Sequence, residues 1–239
     1  MFKITRSGNP IGDQLLASLF VHVLNDNNIE SVFGELLYDY IIDCPVNEET
    51  RDYILYDFKY EHGKKSIIES GIEKFKKEFS ITQDIKINRS YIPVKFKYVE
   101  NIPAYNVVII SKSGFWSPVR DWPYFSQLKE KLDKLNVTWI DLTERRIRNN
   151  DFLNYVSKSK VFVTLETGAS HLASMVAKSE QTLVIQSGYS NSSFWNIYNY
   201  DFISYDTDCK SCFKRSCEKH DCMKNISVDN VLQKIQTKL

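Results

Sequence analysis

The stretch VFVTLETGASHLASMVAK, residues 161–178, decides how the chain is read. It begins as a β-branched apolar run, breaks at Glu166-Thr167-Gly168, and resumes as an apolar-striped segment carrying His171. A short apolar run bounded by glycine and followed by helical spacing is the signature of a buried strand feeding a helix. Glycine directly after a strand lets the backbone approach a ligand closely, and the N–H groups opening the next helix favour an anion such as a diphosphate. Thr167 adds a hydroxyl, and Glu166 suits sugar or ribose hydroxyls better than phosphate. His171 stands about one turn into the helix, where it reaches a phosphate or caps the loop. The plainer alternative is a capped helix with a core histidine.

Working outward from that turn, strands alternate with helices. Residues 106–111 (NVVIIS), 137–143 (VTWIDLT), 161–166 (VFVTLE), 182–187 (TLVIQS) and 201–206 (DFISYD) read as strands. Helices are expected over 123–135, near 150–158, over 169–178 and over 227–238. This alternation predicts a parallel sheet covered on both faces, with ligands beyond the carboxyl ends of its strands. Before it, FKIT (2–5), IESVFG (29–34), YIIDCP (40–45) and YILYDF (53–58) read as strands, with helices over 14–26 and 66–79. Between them the proline-bearing stretch YIPVKFKYVENIPAYN marks a boundary. The expected domains are therefore 1–100 and 101–239.

Three further stretches carry candidate chemistry. SGNPIGDQLL (7–16) places Gly8, Gly12 and Asp13 at a helix start; an N-cap alone would account for the aspartate, but the further glycine and proline in so short a loop are more than a cap requires. SKSGFWSPVRDWPYF (111–125) follows a strand and brings Ser111, Ser113 and Arg120 to its end, a set suited to a diphosphate. CKSCFKRSCEKHDC (209–222) has the spacing C-x2-C-x4-C-x4-C, and Cys209, Cys212, Cys217 and Cys222 are close enough in sequence to meet on one tetrahedral zinc or iron ion. Free structural thiols and disulfides are the alternatives there. Cys44 reads as core.

Composition narrows the function classes. With 31 basic and 30 acidic residues the net charge is +1, so no global field recruits nucleic acid or anionic membrane, and Lys74, Lys76 and Lys77 read as a solvated helix face. No apolar run approaches the roughly 20 residues that span a bilayer. The N-terminus shows no signal-peptide pattern, and a cytoplasmic protein with at most peripheral membrane association is expected.

In order along the chain stand I-G-D-x-L-L (11–16), a basic residue before x-W-P (120–123), acid-T-G-x-x-H-L-A (166–173) and C-x2-C…C…C-M (209–223). In this the sequence resembles the ADP-heptose:lipopolysaccharide heptosyltransferases, glycosyltransferase family 9, over residues 1–20 and 106–239. The resemblance implies an α/β fold of GT-B type, two Rossmann-like domains facing across a cleft, here with a reduced N-terminal domain on the acceptor side. It implies an inverting transfer from a nucleotide-sugar donor, ADP-heptose in the family, to a glycan, glycolipid or protein acceptor, without a catalytic metal. Asp13 matches the catalytic aspartate; Ser111, Ser113, Arg120, Glu166, Thr167, Gly168 and His171 fall on the donor side. The cysteines match an iron-binding knuckle of a protein-modifying branch. The family carries lysine where Arg120 stands and aspartate where Glu166 stands. The alternatives are a non-catalytic sugar-nucleotide-binding or accessory protein of the same fold, and a nucleotide-sugar epimerase.

Overall fold

The computed structural model describes residues 1–239 except 6–9, 35, 38–39, 47–53, 58–64, 89–93, 115–116, 144, 146, 198–199 and 209–210, with 54–57 described by their backbone. The chain divides into two compact units, Met1–Lys95 with Ser193–Ile197, and Phe96–Ser192 with Tyr198–Leu239.

In the first unit, β1 (Phe2–Thr5) lies between β2 (Ser31–Phe33) and β3 (Ile54–Asp57), all parallel. Helix α1 (Ile11–Asp26) is buried almost all round from Gln14 to Val21, as a core helix must be when its sequence is apolar on every side. It ends at Asn27, and Asn28 follows with φ 60°, a left-handed conformation asparagine tolerates. Helix α2 (Ile67–Glu78) opens on a capping box: Ser66 Oγ accepts the Glu69 N–H at 3.3 Å, and Glu69 Oε2 accepts the Ser66 N–H at 2.8 Å. Its apolar face presents Phe75, whose ring meets Phe2 at 4.8 Å and Phe20 at 5.7 Å edge-on, locking β1, α1 and α2 together. Lys74, Lys76 and Lys77 lie on the outer, partly or fully exposed side.

Two expectations for this unit are corrected. YIIDCP forms no strand: Ile42 makes a single antiparallel bridge to Val94, and the segment runs on into Pro45, which has no N–H to extend a ladder. Asp13 is not the N-cap of α1. Pro10 holds that position with φ −62°, so the helix starts one turn earlier than the apolar spacing suggests and Asp13 is its third residue.

The second unit holds a five-stranded parallel sheet: β4 (Val107–Ile109), β5 (Trp139–Asp141), β6 (Val161–Leu165), β7 (Thr182–Gln186) and β8 (Asp201–Ser204), in the order β5-β4-β6-β7-β8. Strands β4, β6 and β7 are buried at every residue, which is why they read as near-continuous apolar runs, broken only by the buried Thr164, Thr182 and Gln186. One face packs on α3 (Phe125–Lys134) and α8 (Val228–Gln236) through Trp122, Leu128, Leu132, Val231 and Ile235. The other side includes α4 (Asn149–Lys158), whose Phe152 meets Phe162 edge-on at 5.6 Å. Asn154, fully buried on α4, is satisfied by the Val99 N–H at 2.7 Å and the Lys97 carbonyl at 2.9 Å. Helix α5 is shorter than expected, Gly168–Ala173, and Pro123 precedes α3 instead of opening it. Single helical turns cover Pro118–Arg120, Ser179–Gln181, α6 (Ser192–Trp195) and α7 (Asp221–Lys224). Among the described residues no helix is long and apolar enough to cross a membrane.

Candidate functional site

In the second sheet the chain starts in β4, moves outward to β5, then crosses back to β6 and continues to β8. The strand order therefore reverses between β4 and β6. In open parallel sheets, ligands bind in the crevice beyond the carboxyl ends at such a reversal. Ser111 and Ser113 follow β4, and Glu166-Thr167-Gly168 follows β6, so the topology brings both candidate loops to that crevice.

Thr167 and Gly168 make the turn. The Thr167 hydroxyl accepts the Ala169 N–H at 3.2 Å, and Ser170 Oγ lies 2.7 Å from the Thr167 carbonyl, so the hydroxyl of this motif caps α5 and the glycine is its first residue. Glu166 points into protein. It is 3% exposed, with Oε1 accepting from Ser190 Oγ at 2.6 Å and Oε2 making no hydrogen bond among the described residues. Burial pushes its carboxyl up to about 7, against the Ser190 hydroxyl, the Arg120 charge and the nearby Gln186 amide. His171, 5% exposed, is pushed down to about 4 by burial, with the Arg120 charge adding to the effect. Its imidazole is thus neutral at pH 7.

Arg120 lies under this turn rather than in solvent. At 6% exposure, its Nη1 donates to the Glu166 carbonyl at 2.5 Å and its guanidinium carbon sits 5.6 Å from the centre of the Tyr189 ring. Burial lowers its pKa and the Glu166 charge opposes that, while an arginine stays protonated in either case. The two serines are engaged as well. Ser111 Oγ donates to Asp141 Oδ2 at 2.6 Å, and Ser113 Oγ lies 2.7 Å from Asp121 Oδ1. Burial works to raise the Asp141 carboxyl, but hydrogen bonds from Lys129, Ser111 and Thr143 prevail and hold it below the ordinary carboxylate range.

Tyr189, Ser190 and Asp141 are absent from the sequence reading. The first two lie in SGYSNSS, the loop leaving β7, and a polar loop beyond the carboxyl end of a buried parallel strand was the available signal. Asp141 sat inside a segment read as strand.

In the first unit, Gly12 is buried and Asp13 half-buried in the first turn of α1, where a carboxylate complements the helix dipole. Gly8 lies outside the described residues.

Cys212 is half-buried, Cys217 exposed and Cys222 buried; Cys209 lies outside the described residues. The three described thiols line one cavity of about 1000 Å³. Among the described residues no group of three or more His, Cys, Asp or Glu is gathered to hold an ion, so any fit to a metal needs Cys209. The loop is anchored to the site. His220 Nε2 is 2.6 Å from the Val119 carbonyl, the Cys212 N–H donates to Gly188 O at 3.1 Å, and the Phe213 N–H donates to Tyr189 O at 3.0 Å. Cys44 is half-buried, and burial pushes its thiol up.

No protein-family model matches the sequence, and no curated protein matches it. Solved structures do. The iron-containing dodecameric glycosyltransferase TibC from enterotoxigenic E. coli superposes at a TM-score of 0.73 and 12% identity, over 99% of this chain and 75% of that one. The chain has the heptosyltransferase fold. E. coli heptosyltransferase WaaC with ADP gives 0.63 at 10% identity, covering 100% of both chains. A family 9 glycosyltransferase from Veillonella parvula gives 0.59 at 11%, over 98% and 96%. The α/β architecture with parallel sheets is thus of GT-B type; at these identities the likeness speaks for fold, and reaction must be argued from the site.

Proposed function

We propose that the protein is an inverting glycosyltransferase of the cytoplasm that moves a sugar from a nucleotide diphosphate donor to a hydroxyl of a glycan, glycolipid or protein acceptor. One observation carries the reading: the acid-Thr-Gly turn stands at the strand reversal of a sheet whose fold is that of heptosyltransferases. TibC has been solved with ADP-D-β-D-heptose, which makes an ADP-linked heptose the first donor to try.

In the proposed reaction the Asp13 carboxylate takes the acceptor's hydroxyl proton as the oxygen attacks the anomeric carbon. The bond from that carbon to the diphosphate breaks on the opposite face, and the electron pair leaves with the nucleotide diphosphate. Thr167, Gly168, Ser111 and Ser113 border the donor, and Arg120 contributes positive potential from beneath the turn, where low dielectric strengthens it. Glu166, pushed up to about 7, repels a phosphate less than a solvent carboxylate does. Neutral His171, in the last turn of α5, serves as a hydrogen-bonding group.

A second reading, a non-catalytic sugar-nucleotide-binding or accessory protein, is favoured by the inward bonds of Ser111 and Ser113 and by the burial of Arg120. Incubation with ADP-heptose and other nucleotide-sugars separates the two. Free nucleotide diphosphate released in proportion to added acceptor supports the transferase. Retention of an intact nucleotide-sugar without release supports the binder, and return of a different nucleotide-sugar would mark an epimerase.

We further propose that Cys209, Cys212, Cys217 and Cys222 bind one zinc or iron ion, a structural role outside the chemistry. Elemental analysis should find close to one metal per chain, and Cys217→Ser should lower both metal content and melting temperature, because a structural metal contributes folding free energy directly. Metal-free protein with an unchanged melting temperature would leave these residues as plain thiols.

A further inference from the structure

The loop leaving β7 sets two consecutive side chains, Tyr189 and Ser190, against the acid-Thr-Gly turn and the cation beneath it. Ser190 Oγ donates to Glu166 Oε1 at 2.6 Å, and the Tyr189 ring centre lies 5.6 Å from the Arg120 guanidinium carbon. The loop is itself held. Gln186 Nε2 donates to the Ser190 carbonyl at 3.2 Å, and the Cys212 and Phe213 N–H groups donate to the Gly188 and Tyr189 carbonyls. The Phe213 ring meets the Tyr189 ring edge-on at 5.6 Å. Tyr189 is thus a half-buried ring, fixed by Phe213 and by its own backbone, with Arg120 against it.

Arg120 acts at a distance. It is 6% exposed and its Nη1 donates to the Glu166 carbonyl, so what it gives a phosphate at the Thr167-Gly168 turn is potential. That potential depends on where the guanidinium stands, because Coulomb energy varies inversely with separation and is strong where the dielectric is low. A long, rotamer-rich side chain must be held along its length as well as at its tip. An aromatic ring does this without cost to the field: its quadrupole attracts the cation, yet it carries no net charge to cancel it. A carboxylate in the same place would hold the arginine and remove most of the potential that the turn receives.

We propose that Tyr189 is a positioning residue for the donor's diphosphate: its ring holds the Arg120 guanidinium beneath the Thr167-Gly168 turn, and phosphate binding there depends on the ring's aromatic character, not on its bulk or its hydroxyl. The inference rests on the proposed transferase reading.

Titration of the full chain with inorganic pyrophosphate, followed by phosphorus NMR, tests it with the anion alone. Tyr189→Leu keeps apolar volume but removes the ring, and should weaken pyrophosphate binding roughly three- to tenfold. Tyr189→Phe keeps the ring and should bind within about twofold of wild type. A side chain that only filled space would let leucine and phenylalanine serve alike. Successively fluorinated phenylalanines at position 189 keep the shape while draining negative charge from the ring face, so affinity should fall step by step; this series stands even if the leucine variant folds poorly. A ring that met the phosphate directly would bind it better when fluorinated, which is the opposite sign. Equal affinity in wild type, Tyr189→Leu and Tyr189→Phe, an affinity that ignores or rises with fluorination, or a wild type that binds no pyrophosphate overturns the proposal. Release of nucleoside diphosphate from nucleotide-sugars reports on the transferase reading separately. A leucine–phenylalanine contrast without any release would sink that reading and leave Tyr189 holding the cation of an anion site, whereas acceptor-dependent release with no contrast sinks the proposal alone.

Discussion

Asp13→Asn is expected to slow sugar transfer by about 10²- to 10⁴-fold, the contribution of a positioned general base, while keeping the fold and the binding of ADP. The third residue of α1 is half-buried, and asparagine is nearly isosteric there. Losing the charge costs about 0.3–1 kcal/mol of favourable interaction with the helix N-terminus, too little to unfold the unit. Asparagine cannot take the acceptor's proton, so the loss should fall on kcat. Product formation followed with excess donor, alongside calorimetry with ADP, checks both halves. A variant that turns over at the wild-type rate would reduce Asp13 to a charge that complements its helix.

Glu166→Gln and His171→Gln should tilt the dependence of stability on pH in opposite directions. Glu166 titrates near 4.5 in an unfolded chain and about 7 in the fold. Between those values the folded protein keeps a proton the unfolded chain has lost, so this group costs stability as pH rises. His171 titrates near 6.5 unfolded and about 4 folded. There the unfolded chain takes up a proton that the buried ring refuses, and stability is lost as pH falls. Each contribution is on the order of 3 kcal/mol, and from pH 4.5 to 6.5 the two cancel. Relative to wild type, Glu166→Gln should therefore gain on the order of 3 kcal/mol between pH 4.5 and 7, and His171→Gln a similar amount as pH drops from 6.5 to 4. Any packing change adds a constant that drops out of the comparison between pH values. Urea unfolding across pH 4 to 7 reads this directly, and variant curves parallel to wild type would show that neither group is perturbed.

The parts of the fold legible in the sequence are those set by local pattern. Strands β4, β6 and β7 announce themselves because burial on both faces favours near-continuous apolar runs, and Ser66 with Glu69 signals the start of α2. YIIDCP misleads because a short apolar run has the same appearance whether or not it finds a ladder partner. The start of α1 depends on a proline's fixed φ, which outweighs the aspartate's preference for the cap. At the site, the residue types could be read but their orientation could not. Whether Arg120 faces solvent depends on Glu166, 46 positions along the chain, and Glu166 in turn depends on Ser190, 24 positions beyond. No local pattern encodes those contacts.

The bonds that tie the cysteine region back to the middle of the chain set an order in time. Trp122 Nε1 donates to the Ile226 carbonyl across 104 positions, and His220 reaches the Val119 carbonyl across 101. At ribosomal speeds of about 5–20 residues per second, roughly 5 to 20 seconds separate the synthesis of Trp122 from that of its partner. During that interval the face of the sheet that α8 will cover has Trp122, Leu128 and Leu132 beside it with no lid. Chaperones that hold apolar surface have their opportunity there, and the nascent second unit is most prone to aggregate in those seconds.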